Sequence, residues 1–273
     1  MKLVASDLDG TLLLPDKSLS GRTLRVLREV VDAGVTLVLV TARPPRSVRI
    51  FAEMLQARGL AICANGAVIY DLDSDTIVQH AACEPEIIAE LIVRLREAAP
   101  GVRFALELGT EHGCEIEYRT WRPDIWDADS PIIEDVLARC TVPVTKLIAS
   151  HPILEFESLL DLTRALGGDA IGVTHSGGGV VEVSAAGVHK AWALEWLASS
   201  LGVDRQDVVA FGDMPNDLAM LQWAGRGVAV ANAHPELLAA ADEIAPAHTE
   251  DGVAVTLERL LRERAATLVG RAQ

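Results

Sequence analysis

The residues best equipped for chemistry are Asp7-Leu8-Asp9-Gly10-Thr11, directly after the apolar stretch Leu3-Val4-Ala5. Two carboxylates this close, at the end of a buried strand, resist joint ionisation unless a cation or hydrogen-bond donors offset them. Gly10 permits a sharp turn and Thr11 can cap it. A carboxylate so placed is a candidate nucleophile or a ligand for a hard divalent cation such as Mg²⁺. The plain alternative is a polar turn after a strand.

Two further polar segments follow apolar runs in the same way. Thr41-Ala42-Arg43 follows Val35 to Val40, and Gly212-Asp213-Met214-Pro215-Asn216-Asp217 follows Val208 to Phe211. Taken singly, Thr41 could be a helix cap and Asp217 an N-cap. Lys190 opens a helical stretch, where the macrodipole disfavours a cation by up to ~1 kcal/mol. A surface lysine would sit more comfortably at the other end.

The elements that must position these residues read as an alternation. Leu3 to Ser6, Val35 to Val40 and Ala61 to Ala64 read as strands. Ser20 to Ala33 and Pro45 to about Arg58 read as helices, with Pro45 in a first turn. Asn65-Gly66 is a turn signal, and Val68 to Tyr70 with Thr76 to Val78 reads as a hairpin. The rhythm resumes with a helix at Lys190 to Leu201, a strand at Val208 to Phe211, a helix at Asp217 to Ala224, a strand at Val228 to Val230 and a helix at Pro235 to Ala241. Such alternation implies an α/β fold, a parallel sheet with helices on both faces. Ligands of such sheets sit beyond the carboxyl ends of the strands, where all three polar segments fall.

The middle differs. Pro85 to Ala99, Ile132 to Ala138 and Leu154 to Leu166 read as helices. Arg103 to Glu107, Cys114 to Tyr118, Val144 to Ala149, Ala170 to Thr174 and Val180 to Val183 read as strands. This pattern suggests an α+β insert with an antiparallel sheet. The expected division is a core of residues 1–82 and 185–273, split by a second domain at 83–184.

Composition narrows the function classes. The chain has 273 residues, is 50% hydrophobic and carries a formal charge of −15. That acidity argues against non-specific binding to nucleic acid or an anionic membrane. An anionic substrate would need local positive charge, and only Lys2, Lys17, Lys146 and Lys190 are lysines. Cys63, Cys83, Cys114 and Cys140 have neither metal-ligand nor redox spacing and read as reduced, fitting a cytoplasmic setting. No apolar run reaches transmembrane length, and Asp7 and Asp9 interrupt any signal-peptide core. Arg259 to Arg271 mixes charges at helical spacing and reads as a solvated helix face.

The order Asp7-Leu8-Asp9-Gly10-Thr11, Thr41, Lys190 and Gly212-Asp213-x-x-Asn216-Asp217 resembles the haloacid dehalogenase superfamily. The large insert, together with Asn65-Gly66-Ala67-Val68-Ile69, resembles its Cof-type subfamily IIB. Ala191 and Ala231 stand where that family often has glycine. The resemblance implies a Rossmann-like doubly wound core with an inserted α+β cap of the C2B type. It implies a Mg²⁺-dependent phosphatase in which Asp7 attacks phosphorus and forms an aspartyl-phosphate. Asp9 would protonate the leaving oxygen and then activate water. Mg²⁺ would be held by Asp7, the Asp9 carbonyl and Asp213. Leu8, Thr41, Ala42, Lys190 and Asn216 would hold the phosphoryl oxygens, with Asp217, Arg43 and Asn65 just outside those contacts. The expected partner is a small phosphorylated substrate, with a sugar phosphate favoured, and the expected assembly a monomer or small homo-oligomer. Other readings are a sugar phosphomutase or phosphotransferase and a non-catalytic phosphosugar sensor.

Within the insert, 18 acidic and 8 basic residues read first as an acidic solvated surface; the alternative is a preference for substrates rich in hydroxyls over ones with a second phosphate. Arg119, Trp121, Arg122 and Trp126 could stack on a sugar or pack between cap elements. The glycine-rich His175 to Gly179 segment is a candidate substrate-contacting loop.

Overall fold

The computed structural model describes residues 1–55, 58–121 and 130–271. Strand β1 (Leu3–Asp7) leads through α1 (Gly21–Asp32) to β2 (Thr36–Val40), and α2 (Pro45–Leu55) leads to β3 (Leu60–Cys63). A 3₁₀ turn at Ala64–Gly66 opens the hairpin of β4 (Val68–Asp71) and β5 (Thr76–His80). After α3 (Pro85–Ala98) come β6 (Arg103–Leu108), β7 (Glu111–Cys114), α4 (Ile116–Trp121), β8 (Lys146–Ser150), α5 (Phe156–Gly167), β9 (Ile171–Thr174) and β10 (Val181–Ala185). The chain ends with α6 (Lys190–Ser200), β11 (Val208–Gly212), α7 (Leu218–Trp223), β12 (Arg226–Val230), α8 (Pro235–Ala240), β13 (Glu243–Ala245) and α9 (Gly252–Arg271).

The first sheet has eight strands in the order β13-β12-β11-β1-β2-β3-β4-β5. It is parallel from β13 to β3, and β4 and β5 extend it antiparallel. Strand β1 is fully buried, as its uninterrupted apolar run requires of a strand covered on both faces. The chain winds outward from β1 through β2 and β3, then returns to β11 on the other side. The strand order therefore reverses at β1 and β11, which opens a crevice beyond their carboxyl ends. Register pairs Ser6 with Phe211 and Asp7 with Val40. Asp7, Thr41 and Asp213 consequently leave adjacent strands at one rim.

Local signals shape the helices. Ser20 caps α1 by accepting from the Thr23 amide, and Val26, Leu27 and Val30 bury its inner face. Each such side chain contributes about 1.5–3 kcal/mol on burial.

The second sheet is antiparallel, in the order β7-β6-β8-β10-β9. Alternation along its strands separates two faces. Phe104, Leu106, Leu147, Ala149, Val181 and Val183 pack with Ile88, Leu91 and Ile92 of α3 and Leu159 and Leu160 of α5. Glu107, Lys146, Ile148 and Glu182 instead line a cavity facing the first sheet.

Two expectations need correction. Cys114 to Tyr118 is not one strand: β7 ends at Cys114 and α4 begins at Ile116. The Glu115 carbonyl accepts from the Tyr118 and Arg119 amides, which starts the helix, and its side chain accepts from the Phe104 amide. Ile132 to Ala138 is not a helix either. The Ile133 amide donates to the Cys114 carbonyl, holding the segment extended, and only Val136–Arg139 forms a 3₁₀ turn, capped by Asp135. The stretch from Arg259 is helical with a largely exposed face, as expected; the helix itself begins earlier, at Gly252, where Val253, Ala254 and Leu257 bury its inner face, continued by Leu260.

Candidate active site

The cavity between the sheets has a volume of about 370 Å³. Its floor is the rim of the first sheet. Asp7 ends β1, and the turn after it is closed by the Leu12 and Leu13 amides donating to the Leu8 carbonyl. Gly10 adopts φ +81°, and a Cβ there would lie 2.3 Å from Oδ2 of Asp213. Glycine is therefore what lets the loop after β1 meet the loop after β11. Thr11 Oγ1 donates to Asp213 Oδ1 at 2.7 Å across the same contact.

Lys190, at the first position of α6, is fully buried. Its Nζ donates to Asp7 Oδ1 and to Asp217 Oδ1, each at 2.6 Å. The other oxygen of Asp217 accepts from the Asp213 and Met214 amides at 3.1 Å. Asp217 thus orients Lys190 and closes its own loop. Close approach of Gly66 to α6 helps place Lys190, because a Cβ on Gly66 would lie 2.5 Å from the His189 carbonyl oxygen.

The electrostatics follow from burial. Desolvation pushes the Asp7 carboxyl well above its ordinary range; Lys190 acts against this, and the charges of Asp217 and Asp213 add to it. Burial, followed by the Asp217 charge, raises Asp213 to about 7. Desolvation opposes the Lys190 ammonium, but Asp217 and Asp7 outweigh it and hold its pKa above the usual lysine value. The floor carries an excess of carboxylate over cation, a condition a divalent cation would relieve.

The donor set fits such an ion. Carboxylate oxygens of Asp7, Asp213 and Asp217 lie within 4.8 Å of one another, all on buried residues. They are hard oxygen donors of the kind Mg²⁺ takes. Asp217 already uses both oxygens on Lys190 and the loop amides, which leaves Asp7 and Asp213 as the available carboxylates.

Of the other expected residues, all but Leu8 and Asn65 line this cavity. Thr41 Oγ1 accepts from the Arg43 amide at 3.1 Å, and Thr41, Ala42, Arg43 and Asn216 line the wall. Leu8 is buried beneath the turn. Arg43 binds Asp9 with two donors, at 2.5 and 2.8 Å, and Lys17 adds a third at 2.8 Å. Burial acts to raise Asp9, but Arg43 and Lys17 more than offset it and hold the carboxyl below its ordinary value. Asn65 stands behind Asn216, accepting from its Nδ2 at 3.0 Å.

Sequence reasoning missed five charged lining residues. Lys17 faces Asp9, Arg46 pairs with Glu107 through donors at 2.6 and 2.8 Å, and Lys146 pairs with Glu182 at 2.7 Å. The one local signal for the last pair is weak: Glu182 interrupts the apolar run of Val181–Ala185, whereas Lys146 stands at the first position of its strand. Ser176, Gly177 and Gly178 of the glycine-rich segment line the cavity as well. Trp121 packs edge-on against Tyr118, with ring centroids 6.3 Å apart. Arg122 and Trp126 lie outside the described residues.

Comparison with known proteins gives a consistent set of similarities. The model of the family described as haloacid dehalogenase-like hydrolase matches residues 4–257. A 5-amino-6-(5-phospho-D-ribitylamino)uracil phosphatase of Bacillus subtilis is 29% identical over 265 residues, 93% of each chain. An HMP-PP phosphatase of Enterobacter sp. is 30% identical over 240 residues, 87% of each chain. A crystal structure of a haloacid dehalogenase-like hydrolase from Bacteroides thetaiotaomicron is 28% identical and superimposes with a TM-score of 0.80, covering 95% of this chain and 99% of that one.

Proposed function

The chain belongs to the haloacid dehalogenase-like hydrolases and is a phosphatase of that family, and from that premise we propose that it is a Mg²⁺-dependent hydrolase of small phosphorylated metabolites, with Asp7 as the nucleophile. The observation that carries this reading is the buried triad of Asp7, Lys190 and Asp217 beside Asp213 at the strand-order reversal. We take residues 1–82 and 185–273 as the catalytic core and 83–184 as the cap.

Phosphoryl transfer needs positioning and charge neutralisation more than covalent machinery. A carboxylate and a phosphate at ~4 Å repel by about 4 kcal/mol at an effective dielectric of about 20. Asp7, Asp213 and the Asp9 carbonyl would hold Mg²⁺, which supplies the positive charge that keeps these carboxylates ionised and offsets that repulsion. Lys190 supplies a second, fixed cation beside the attacking oxygen. The Asp7 carboxylate attacks phosphorus and displaces the leaving oxygen, and water then releases phosphate from the aspartyl-phosphate. Thr41, the amides of Leu8 and Ala42, and Asn216 orient the phosphoryl oxygens.

Asp9 is the proton carrier in this reading. Held low by Arg43 and Lys17, it is a carboxylate, the form that takes a proton from the hydrolytic water. To protonate the leaving oxygen Asp9 must first take up a proton from solvent, which requires the Arg43 contact to loosen; the proton it later takes from the hydrolytic water restores that form for the next turnover, so Arg43 tunes both half-reactions.

The opposing wall favours a neutral polyol as the leaving group. Arg46 with Glu107 and Lys146 with Glu182 cancel in charge, and Tyr118, Ile148 and Val180 add apolar surface. No uncommitted cation on that wall stands ready for a second phosphate among the residues named. This agrees with the phosphoribityl group in the name of the Bacillus relative. The test is a panel of phosphorylated metabolites assayed with Mg²⁺ for released phosphate. Turnover of sugar or polyol monophosphates above their bisphosphate analogues is expected. Absence of phosphate release from every ester would overturn the reading, and dependence on a bisphosphate activator would favour a phosphomutase.

A further inference from the structure

Four buried side chains form one hydrogen-bonded run between the two sheets. Lys146 Nζ on β8 donates to Glu182 Oε1 on β10 at 2.7 Å. Asn65 Nδ2, in the turn after β3, donates to Glu182 Oε2 at 3.1 Å. Asn216 Nδ2, in the loop after β11, donates to Asn65 Oδ1 at 3.0 Å. Their exposures are 4, 5, 3 and 9% in that order along the run. Lys146 also donates to the Ala42 carbonyl at 2.8 Å, so the same cation touches the loop that carries Thr41.

The direction of this run is set by charge. A carboxylate can only accept, so Asn65 must offer its nitrogen to Glu182. That turns the Asn65 oxygen toward Asn216, which must then offer its own nitrogen. Flipping either amide would set like groups face to face. Burial acts to raise Glu182, but Lys146, Asn65 and Ser176 more than offset it and keep it ionised. Both Glu182 oxygens are occupied by Lys146 and Asn65, which disfavours direct contact with a substrate. The atoms left over lie at the far end. Asn216 Oδ1 is buried without a partner, and the second hydrogen on its Nδ2 has no acceptor among the described residues.

We propose that Glu182 is a positioning residue: anchored by Lys146, it sets the amide orientation of Asn65 and through it that of Asn216, coupling the seating of the second sheet to the phosphoryl end of the cavity. This rests on the reading of Asn216 as a phosphoryl contact. An ion pair serving stability alone would need no amide partners, since apolar replacement of a buried pair is often neutral.

The test is a double-mutant cycle of Glu182→Gln and Asn216→Ala. Glutamine keeps the shape but can turn its NH₂ toward Asn65 and release the amide orientation. Two readouts are used: kcat/KM for p-nitrophenyl phosphate with Mg²⁺, whose leaving group makes no polyol contacts, and calorimetric affinity for inorganic phosphate. Glu182→Gln alone should lower both about tenfold, and in the Asn216→Ala background less than about twofold. Equal losses in both backgrounds, or none in either, would overturn the relay. If Glu182→Gln does not fold, Asn65→Gly, compatible with φ +58° at that position, interrupts the same run and carries the same two outcomes. Wild-type protein that neither turns over the ester nor binds phosphate would contradict the phosphoryl reading itself, whereas active wild type with equal losses contradicts the relay alone.

Discussion

Nζ of Lys190 lies 2.6 Å from Oδ1 of Asp7, 183 positions away in the chain, with Lys190 fully buried and Asp7 showing only its cavity side. The contact explains why a cation stands at the start of α6. The helix dipole disfavours it there by at most ~1 kcal/mol, and the two adjacent carboxylates outweigh that. The same contact acts against the burial that raises the Asp7 carboxyl, without outweighing it.

Asp7→Asn should retain the fold and lose turnover by roughly 10³-fold or more, the scale of removing a covalent nucleophile. The amide still accepts from Lys190, so the melting temperature should change little. Phosphate release at near wild-type rate from a folded Asp7→Asn protein would remove Asp7 from the nucleophile role.

Excess chelator should stop turnover, and added Mg²⁺ should restore it. Binding should also raise the melting temperature, because a ligand that binds only the folded state stabilises it. In Asp213→Asn that rise should shrink or vanish. Full activity in chelator, or an undiminished rise in the variant, would argue against an Asp213-held cation.

Gly10→Ala should disable the site while sparing the core. Its added Cβ would stand 2.3 Å from Asp213 Oδ2 at a backbone φ of +81°. We expect weaker Mg²⁺ response and lower kcat/KM with a cooperative melt retained. An unaltered Mg²⁺ titration would show that the two loops do not need their present approach.

Lys190→Met removes the only cation that contacts Asp7 and Asp217 among the described residues, while keeping side-chain bulk. Breaking a buried pair in this way costs about 3–5 kcal/mol, because the remaining charges stay buried. Denaturant unfolding would read the loss directly, and a midpoint equal to wild type would mean that both acids are already neutral.

Stability should depend on Glu182 at neutral pH and less so in acid. Its folded pKa lies below the ordinary glutamate value of 4.5. Its contribution is therefore present above the unfolded pKa and lost as pH falls through the folded one. The melting-temperature gap between wild type and Glu182→Gln should be widest at about pH 6 and narrow below about pH 4. A gap that widened toward acid would reverse the sign of this assignment.

Much of the first sheet was legible because its strands are short apolar runs bounded by turn residues. The spacing around Asp7, Thr41, Lys190 and Asp213 marks the residues that form the floor of the cavity. The opposite wall was far less visible. Lys146 and Glu182 look like ordinary charges in strands whose inner and outer faces alternate, and alternation alone does not say what an outer face meets. The Cys114 to Tyr118 and Ile132 to Ala138 segments were misread for a related reason. Their conformations follow from the Glu115 carbonyl accepting helix amides and from the Cys114 carbonyl pairing with Ile133, contacts that apolar periodicity does not encode.

The amino-acid order by itself determined that polar loops follow buried strands and that an acidic chain must find local cation for an anionic ligand. Both are consequences of local periodicity and charge, which are written residue by residue. Only the tertiary structure decided which carboxylate receives Lys190, that Asp217 is held by amides, and that Asn216 is oriented from the second sheet. Those outcomes depend on distance and desolvation between segments brought together by strand order, and neither quantity exists until the chain is folded.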